Sequence, residues 1–379
     1  MRETDQILNL WSECERAGEA AVLATVVRTR GSSYRVPGAR LLIAAKGQRA
    51  GSISGGCLED DLIKKAWWLT EGDRRQIRRY DTNPDGDLLP AFGLGCNGVI
   101  EILIERVTPN DAKVPTLLQE VLQTRRAAVI AHVLQPGYLA GKRVYIGTDG
   151  QIHSEIENGE LSSQLETAAA AALGERSSTH SSLALEGESV EAFLEVVTPP
   201  LRLLVFGAGD DAIPITELAH YLGWRISVFD GRAHYGRPER FPKADTVQVG
   251  PVEEANVQVD AWTAAVLMSH SYSQDLAALR MLAGEPLQYL GILGPRRRTE
   301  QLLADAGLDS ARLETPLHSP MGLDIGADGP QQVALSVIAE IQASLNGRVG
   351  GQLKERAGSI HSRAEEDRVP FSVRSIVCA

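Results

Sequence analysis

The chain of 379 residues carries 38 Lys and Arg against 49 Asp and Glu, a net charge of −11, which argues against a nucleic-acid backbone or an anionic membrane as partner. With 43% hydrophobic and 23% charged residues it has ordinary globular composition, and its length calls for two or three domains. Four scattered cysteines, Cys14, Cys57, Cys96 and Cys378, lack CxxC spacing, so neither a structural zinc site nor a disulfide framework is expected.

The chain opens on MRETDQILNLW, which is polar and lacks the apolar core of a signal peptide. No apolar run is long enough to span a bilayer, so a soluble, cytoplasmic protein is expected. The first segment reads as an amphipathic helix that buries Cys14. RTRGSSYRVPGARLLI then places a glycine-serine turn between two strands. Its backbone amides, with Ser32, Ser33, Arg30 and Arg35, suit an anion cradle; a plain hairpin turn with surface arginines reads equally well. SISGGCLEDDLIKKAWWL predicts strand, glycine turn and helix. Gly55 and Gly56 allow close backbone approach. Cys57 falls near the positive end of that helix, which favours a thiolate, while Glu59 and Asp60 oppose it. A Cys-His hydrolase is disfavoured, because His132 is the first histidine of the chain. AFGLGCNGVIEILIE sets Cys96 and Asn97 among glycines ahead of another strand.

Three pairs of segments recur in the same order: AAVLATVV with AAVIAHVL, GARLLIAAKGQ with GKRVYIGTDGQ, and IERVTP with LEVVTP. They imply two related α+β halves, each running helix, strand, strand, variable insert and final strand. The second half has nothing like GSSYR, SGGC or LGCNG, which belong to the first alone. The alanine- and serine-rich stretch around 166–189 reads as one helix and then a polar loop.

At TPPLRLLVFGAG the pattern changes to apolar strands alternating with helices, as in a parallel α/β sheet. The expected fold is therefore α/β: an N-terminal α+β region with an internal duplication, followed by a Rossmann-like parallel-sheet domain. The expected divisions are 1–110, a degenerate second copy with polar linker at 111–199, the sheet domain at 200–346 and a mobile tail at 347–379. Gly207 and Gly209 mark the glycine turn, with Ala212 at the third position of GxGxxG. Asp230 ends the second strand, where a ribose-binding acid is expected, and Arg232 follows it. Asp210 and Asp211 occupy the helix start and compete with a bound pyrophosphate for its dipole. His270 and Asp275 follow the next strand, and Arg296, Arg297 and Arg298 open a later helix. Convergence of the loops brings these groups to one crevice. The triple arginine reads either as an anion site or as a solvated basic turn.

GSSYRVPGARLLI, GSISGGCLE, LGCNGVIEILIE, LLVFGAGDDAIPITELAHYLGW, YLGILGPRRR and LHSPMGLDIGADGPQQVALSVIAEI together resemble the XdhC/CoxI family of molybdenum hydroxylase maturation factors. The resemblance runs from about residue 15 to residue 345. It implies a cytoplasmic accessory protein that binds molybdenum cofactor (molybdopterin, in simple or dinucleotide form). Such a protein favours the cofactor's sulfuration by a cysteine desulfurase and delivers it to an apo molybdenum hydroxylase of the xanthine dehydrogenase type. Carried over, Gly55, Gly56, Cys57, Glu59 and Cys96 are candidates for the cofactor head, with Ser32, Ser33, Arg35 and Asn97 beside them. Cys57 and Cys96 are the candidate contacts to molybdenum or its sulfur, and Arg296–Arg298 the candidates for phosphate. One departure is plain: many members of that family have a histidine after the GAG turn, where this chain has Asp210 and Asp211. The competing reading is an NAD(P)-dependent oxidoreductase built on the Rossmann unit and Asp230. No catalytic residue is assigned, a binding rather than a turnover role is favoured, and a homodimer is the default assembly.

Overall fold

The computed structural model describes residues 3–31, 34–56, 58–72, 75–81 and 98–355, and the chain divides into two compact units, 1–199 and 200–379. In the first unit one element order occurs twice. The first copy runs α1 (Glu3–Arg16), β1 (Ala21–Gly31), β2 (Arg40–Ala44), β3 (Arg49–Gly51), α2 (Glu59–Leu69), β4 (Gln76–Asp81) and β5 (Gly98–Val107). The second repeats it with α3 (Lys113–Thr124), β6 (Ala128–Gln135), β7 (Arg143–Ile146), β8 (Ile152–Ser154), α4 (Gly159–Glu175), β9 (Thr179–Leu185) and β10 (Glu188–Val197). Both sheets are antiparallel, and their strand orders, β3-β2-β1-β5-β4 and β8-β7-β6-β10-β9, correspond one to one.

The variable insert of each copy thus holds a short strand, a helix and an edge strand. The buried positions of α2, Glu59, Leu62, Ala66 and Leu69, match Ser162, Leu165, Ala169 and Ala172 of α4, in step with the pairing of Gly38–Arg40 to Gly141–Arg143. That spacing is the apolar stripe of a helix laid on a sheet. The serine-rich stretch after α4 is not a loop. It is β9, paired with β10 from Thr179↔Leu194 to Leu185↔Glu188; its side chains are polar because its outer face and edge meet solvent.

Charge joins the copies. In the shared register Arg40 corresponds to Arg143, and Glu105 to Glu195. Arg40 donates to Glu195 at 2.6 Å, and Arg143 donates to Glu105, so each copy's arginine is answered by the other copy's glutamate. His132 lies between the pairs: Arg143 Nε donates to its Nδ1 at 3.2 Å, and its Nε2 lies 3.0 Å from Glu195. With Nδ1 accepting, the proton sits on Nε2 and the ring is neutral. Burial lowers the pKa of His132 and outweighs the hydrogen bond to Glu195. Burial alone would raise the Glu195 carboxyl, but Arg40 and His132 hold it below its ordinary value. Arg28 extends the network between the equivalent residues Glu101 and Glu191, at 3.5 and 2.6 Å. Apolar contacts follow the same route, with Val27 and Leu103 of one copy packing on Leu134 and Phe193 of the other.

The second unit is a parallel sheet of order β13-β12-β11-β14-β15-β16: β11 (Arg202–Phe206), β12 (Arg225–Asp230), β13 (Thr246–Val249), β14 (Thr263–Leu267), β15 (Tyr289–Ile292) and β16 (Leu317–His318). Counted within the unit, this is the 3-2-1-4-5-6 order of the doubly wound dinucleotide-binding fold. Helices α5 (Ala212–Tyr221) and α8 (Pro330–Leu345) cover one face; α6 (Tyr272–Leu282) and α7 (Arg296–Ala306) cover the other. No helix among the described residues is long and apolar enough to cross a membrane.

Arg143 is 1% exposed, so its removal strands a buried carboxylate. The variant Arg143→Met is expected to lose about 3–5 kcal/mol in chemical denaturation, and Arg143→Met/Glu105→Leu to recover at least half of that. Equal losses in the single and double variants would contradict the pairing.

Candidate functional site

The copies differ in length at connections that share one sheet end. The β1–β2 connection spans residues 32–39 and its counterpart 136–142; the β4–β5 connection spans 82–97 and its counterpart 186–187. Gly31 pairs with Gly98, Asp81 with Val99 and Gly51 with Leu41. The ends of the GSS, SGGC and LGCNG segments therefore meet at that end of the first sheet, and the second copy has only short turns at two of the three places. Ser32, Ser33, Cys57, Cys96 and Asn97 lie outside the described residues.

Glu59 organises what is described there. Its carboxylate is 3% exposed and accepts from Ser52 Oγ at 2.8 Å, Ile53 N at 3.0 Å, Ser54 N at 2.9 Å and Gly56 N at 2.9 Å, as well as from Ser54 Oγ. Burial would raise this carboxyl, but the hydrogen bonds from Ser54, Ser52 and Ile53 prevail and hold it at about 2. Gly55 and Gly56 have φ of 82° and 119°, backbone that other residues rarely adopt. A Cβ on Gly55 would also stand 3.0 Å from the Tyr34 ring. Arg35 is bound to Glu3 of α1 at 2.5 Å, and Glu3 also accepts from Ser52 N at 2.7 Å. Glu3 thus ties the loop after β1 to the loop after β3. In the second copy Ser162 stands where Glu59 does; it contacts Ser154 and Glu166, and no anionic hub is built.

In the second unit, Asp230 ends its strand, and Gly207, His270 and the arginine helix follow the carboxyl ends of adjacent strands, where ligands bind in open α/β sheets. Gly207 has φ of 126°, and a Cβ there would lie 2.5 Å from the Met268 carbonyl oxygen. Asp230 is 1% exposed and fully engaged: it accepts from Ala208 N at 2.8 Å, from Arg232 N and Nε at 2.9 Å and from Arg232 Nη2 at 2.8 Å. Burial works against its charge, yet Arg232 and the Ala208 amide hold its pKa below the ordinary value. A ribose hydroxyl at Asp230 would therefore have to displace one of these donors. Asp210 pairs with Arg240 at 2.5 Å and Asp211 with His270 at 2.7 Å. The arginines divide: Arg298 reaches the buried Asp275 at 2.7 Å, while Arg296 and Arg297 are exposed and enter no ion pair among the described residues. Asp275 also accepts from Ser269 Oγ at 2.5 Å, so it fixes the loop after β14. Sequence reasoning missed Glu3, Tyr34 and Arg240, whose partners lie on other elements.

Among the described residues no group of three or more His, Cys, Asp or Glu is arranged to hold a metal ion.

Comparison with known proteins places both units. A model of the XdhC Rossmann domain matches residues 203–341, and one of the XdhC and CoxI family matches residues 14–81. A probable xanthine dehydrogenase subunit of Bacillus subtilis is 32% identical over 85% of this chain and 92% of its own length. The molybdenum cofactor insertion chaperone PaoD of Escherichia coli is 26% identical over 88% of this chain and 86% of its own. The crystal structure of a xanthine dehydrogenase from Bacillus halodurans superposes with a TM-score of 0.74 at 26% identity, covering 92% of this chain and 97% of that one.

Because the folded pKa of Glu59 lies below its ordinary 4.5, the unfolded chain binds the proton first on acidification. Its contribution is present above pH 4.5 and is lost as pH falls toward 2. That loss is expected to reach about 2–3 kcal/mol in denaturant titrations of the wild type. Glu59→Gln should be less stable at neutral pH and flatter across that window. An unchanged pH slope in the variant would contradict this role.

Proposed function

This chain belongs to the XdhC and CoxI family, and on that premise we propose that it binds molybdenum cofactor, supports its sulfuration by a cysteine desulfurase and passes it to an apo molybdenum hydroxylase of the xanthine dehydrogenase type in the cytoplasm. The observation that carries the reading is the full-length likeness to an insertion chaperone, 88% of this chain against 86% of that protein. The confinement of the added loops to one end of the first sheet supports it. A cofactor with a pterin head needs donors and acceptors on a pre-formed loop. The Glu59-centred turn, with Tyr34 over Gly55 and Arg35 nearby, has that character. Cys57 and Cys96 are the proposed thiol contacts, since soft thiolates suit molybdenum and its labile sulfur. In the second unit, Arg296 and Arg297 are the proposed phosphate contacts, while Arg298 is bound to Asp275. Whether the cargo is the simple pterin or its dinucleotide, the protein holds and transfers it without turnover of its own. The NAD(P) oxidoreductase reading is the less favoured one, because Asp230 is buried and already accepts from the chain on both oxygens.

The test is retention. Purified protein incubated with molybdenum cofactor and then gel-filtered should keep the pterin and its molybdenum, and with NADH it should keep nothing. Cys57→Ala and Cys96→Ala should each weaken retention by roughly tenfold or more. Retained NADH with lost pterin overturns the reading, and undiminished retention in both variants removes the thiols from it.

A further inference from the structure

The glycine turn after β11 is where a dinucleotide's pyrophosphate approaches a fold of this order, because the backbone is bare at the second glycine and the following helix offers its positive end. Here that place is filled by the chain itself. A Cβ added to Gly209 would lie 2.6 Å from Asp211 Oδ1 and 4.0 Å from His270 Cδ2. The Asp211 carboxylate therefore rests on the open face of Gly209. Its other oxygen lies 2.7 Å from His270 Nε2, so the imidazole clamps it from the strand on the far side of the switch point.

The clamp is specific to one acid. Asp210 is drawn off by Arg240, which also donates to the carbonyl oxygens of Ala208 at 2.5 Å and Tyr235 at 2.8 Å, and its side chain is 87% exposed. Asp211 is the acid left over the glycine, with its side chain 19% exposed. His270 reaches it with a backbone φ of 55°, a left-handed conformation that a histidine adopts at a cost and that surrounding structure has to hold in place.

We propose that Asp211, held by His270, is the specificity-determining residue of this crevice: it occupies the anion position of the glycine turn and keeps a diphosphate out of it. The proposal deepens the reading of the crevice as a ligand surface and rests on that reading. It assigns the turn to a ligand that presents a hydrogen-bond donor there, such as an amide or amino group, and leaves any phosphate to other positions. A diphosphate at Gly209 would meet the Asp211 carboxylate in direct contact, and like charges at that range repel strongly. An amine or amide would meet an acceptor already oriented by His270.

The experiment is a titration of the full chain with NADH and with ADP, followed by fluorescence and calorimetry at fixed salt. Wild-type protein should show no saturable binding up to about 1 mM. Asp211→Ala should bind both with at least about tenfold higher affinity. His270→Ala, which releases the carboxylate, should gain less in the same direction. Tight binding by the wild type overturns the proposal, as does an Asp211→Ala protein that melts like wild type and gains nothing. If Asp211→Ala does not fold, Asp211→Asn decides the matter by the same criterion, since it keeps the size and removes the charge. The readout is separate from pterin retention: failure to retain molybdenum cofactor sinks the proposed function and leaves the nucleotide result standing.

Discussion

The first unit depends on two buried ion pairs that cross between its copies, Arg40 with Glu195 and Arg143 with Glu105. Each residue is the counterpart of its neighbour's partner, so neither copy is electrically complete alone. Leaving one arginine or one glutamate without its partner would put an uncompensated charge in a region that excludes water. His132 couples the pairs as a neutral ring, accepting from Arg143 and donating to Glu195. The second copy is therefore part of the interior on which the first copy's strands are aligned.

That alignment sets where the proposed cofactor site lies. Arg40 opens β2 and Glu105 lies within β5, so the cross-pairs fix two strands whose neighbours lead into the site: Gly98 of β5 pairs with Gly31 of β1, and Leu41 of β2 pairs with Gly51 of β3, ahead of the Glu59 turn. The second copy has the same frame, including the buried stripe of α4, with Ser162 at the position of the glutamate hub. In the parallel-sheet unit the same economy of placement recurs. Asp230, Asp275 and Glu340 are buried or half-buried acids that fix loops: Glu340 accepts from Tyr289 OH at 2.5 Å and from Gly322 N at 2.8 Å, holding the segment after β16.

Much of this was legible in the sequence for identifiable reasons. Short strands repeat their apolar spacing, so AAVLATVV and AAVIAHVL revealed two copies, and GARLL and GKRVY gave the register that equates Arg40 with Arg143. The βαβ order and the position of Asp230 at a strand end were equally readable. What was not readable is pairing across distance. Nothing in the chain says that Glu3 will meet Arg35, that Asp211 will meet His270, or that one of three consecutive arginines will turn inward to Asp275 while two face solvent. The serine-rich segment misled because an edge strand with one face in water has the composition of a loop; its pairing with β10 decides the matter.

The claim at the centre is that ligand recognition in the first unit belongs to one copy, and hydrogen exchange on the full chain with and without molybdenum cofactor tests it most directly. Bound cofactor should slow exchange in residues 34–38 and 52–59 and leave the equivalent segment 155–162 unchanged. Protection of 155–162 to the same degree, or none at either place, would contradict the account.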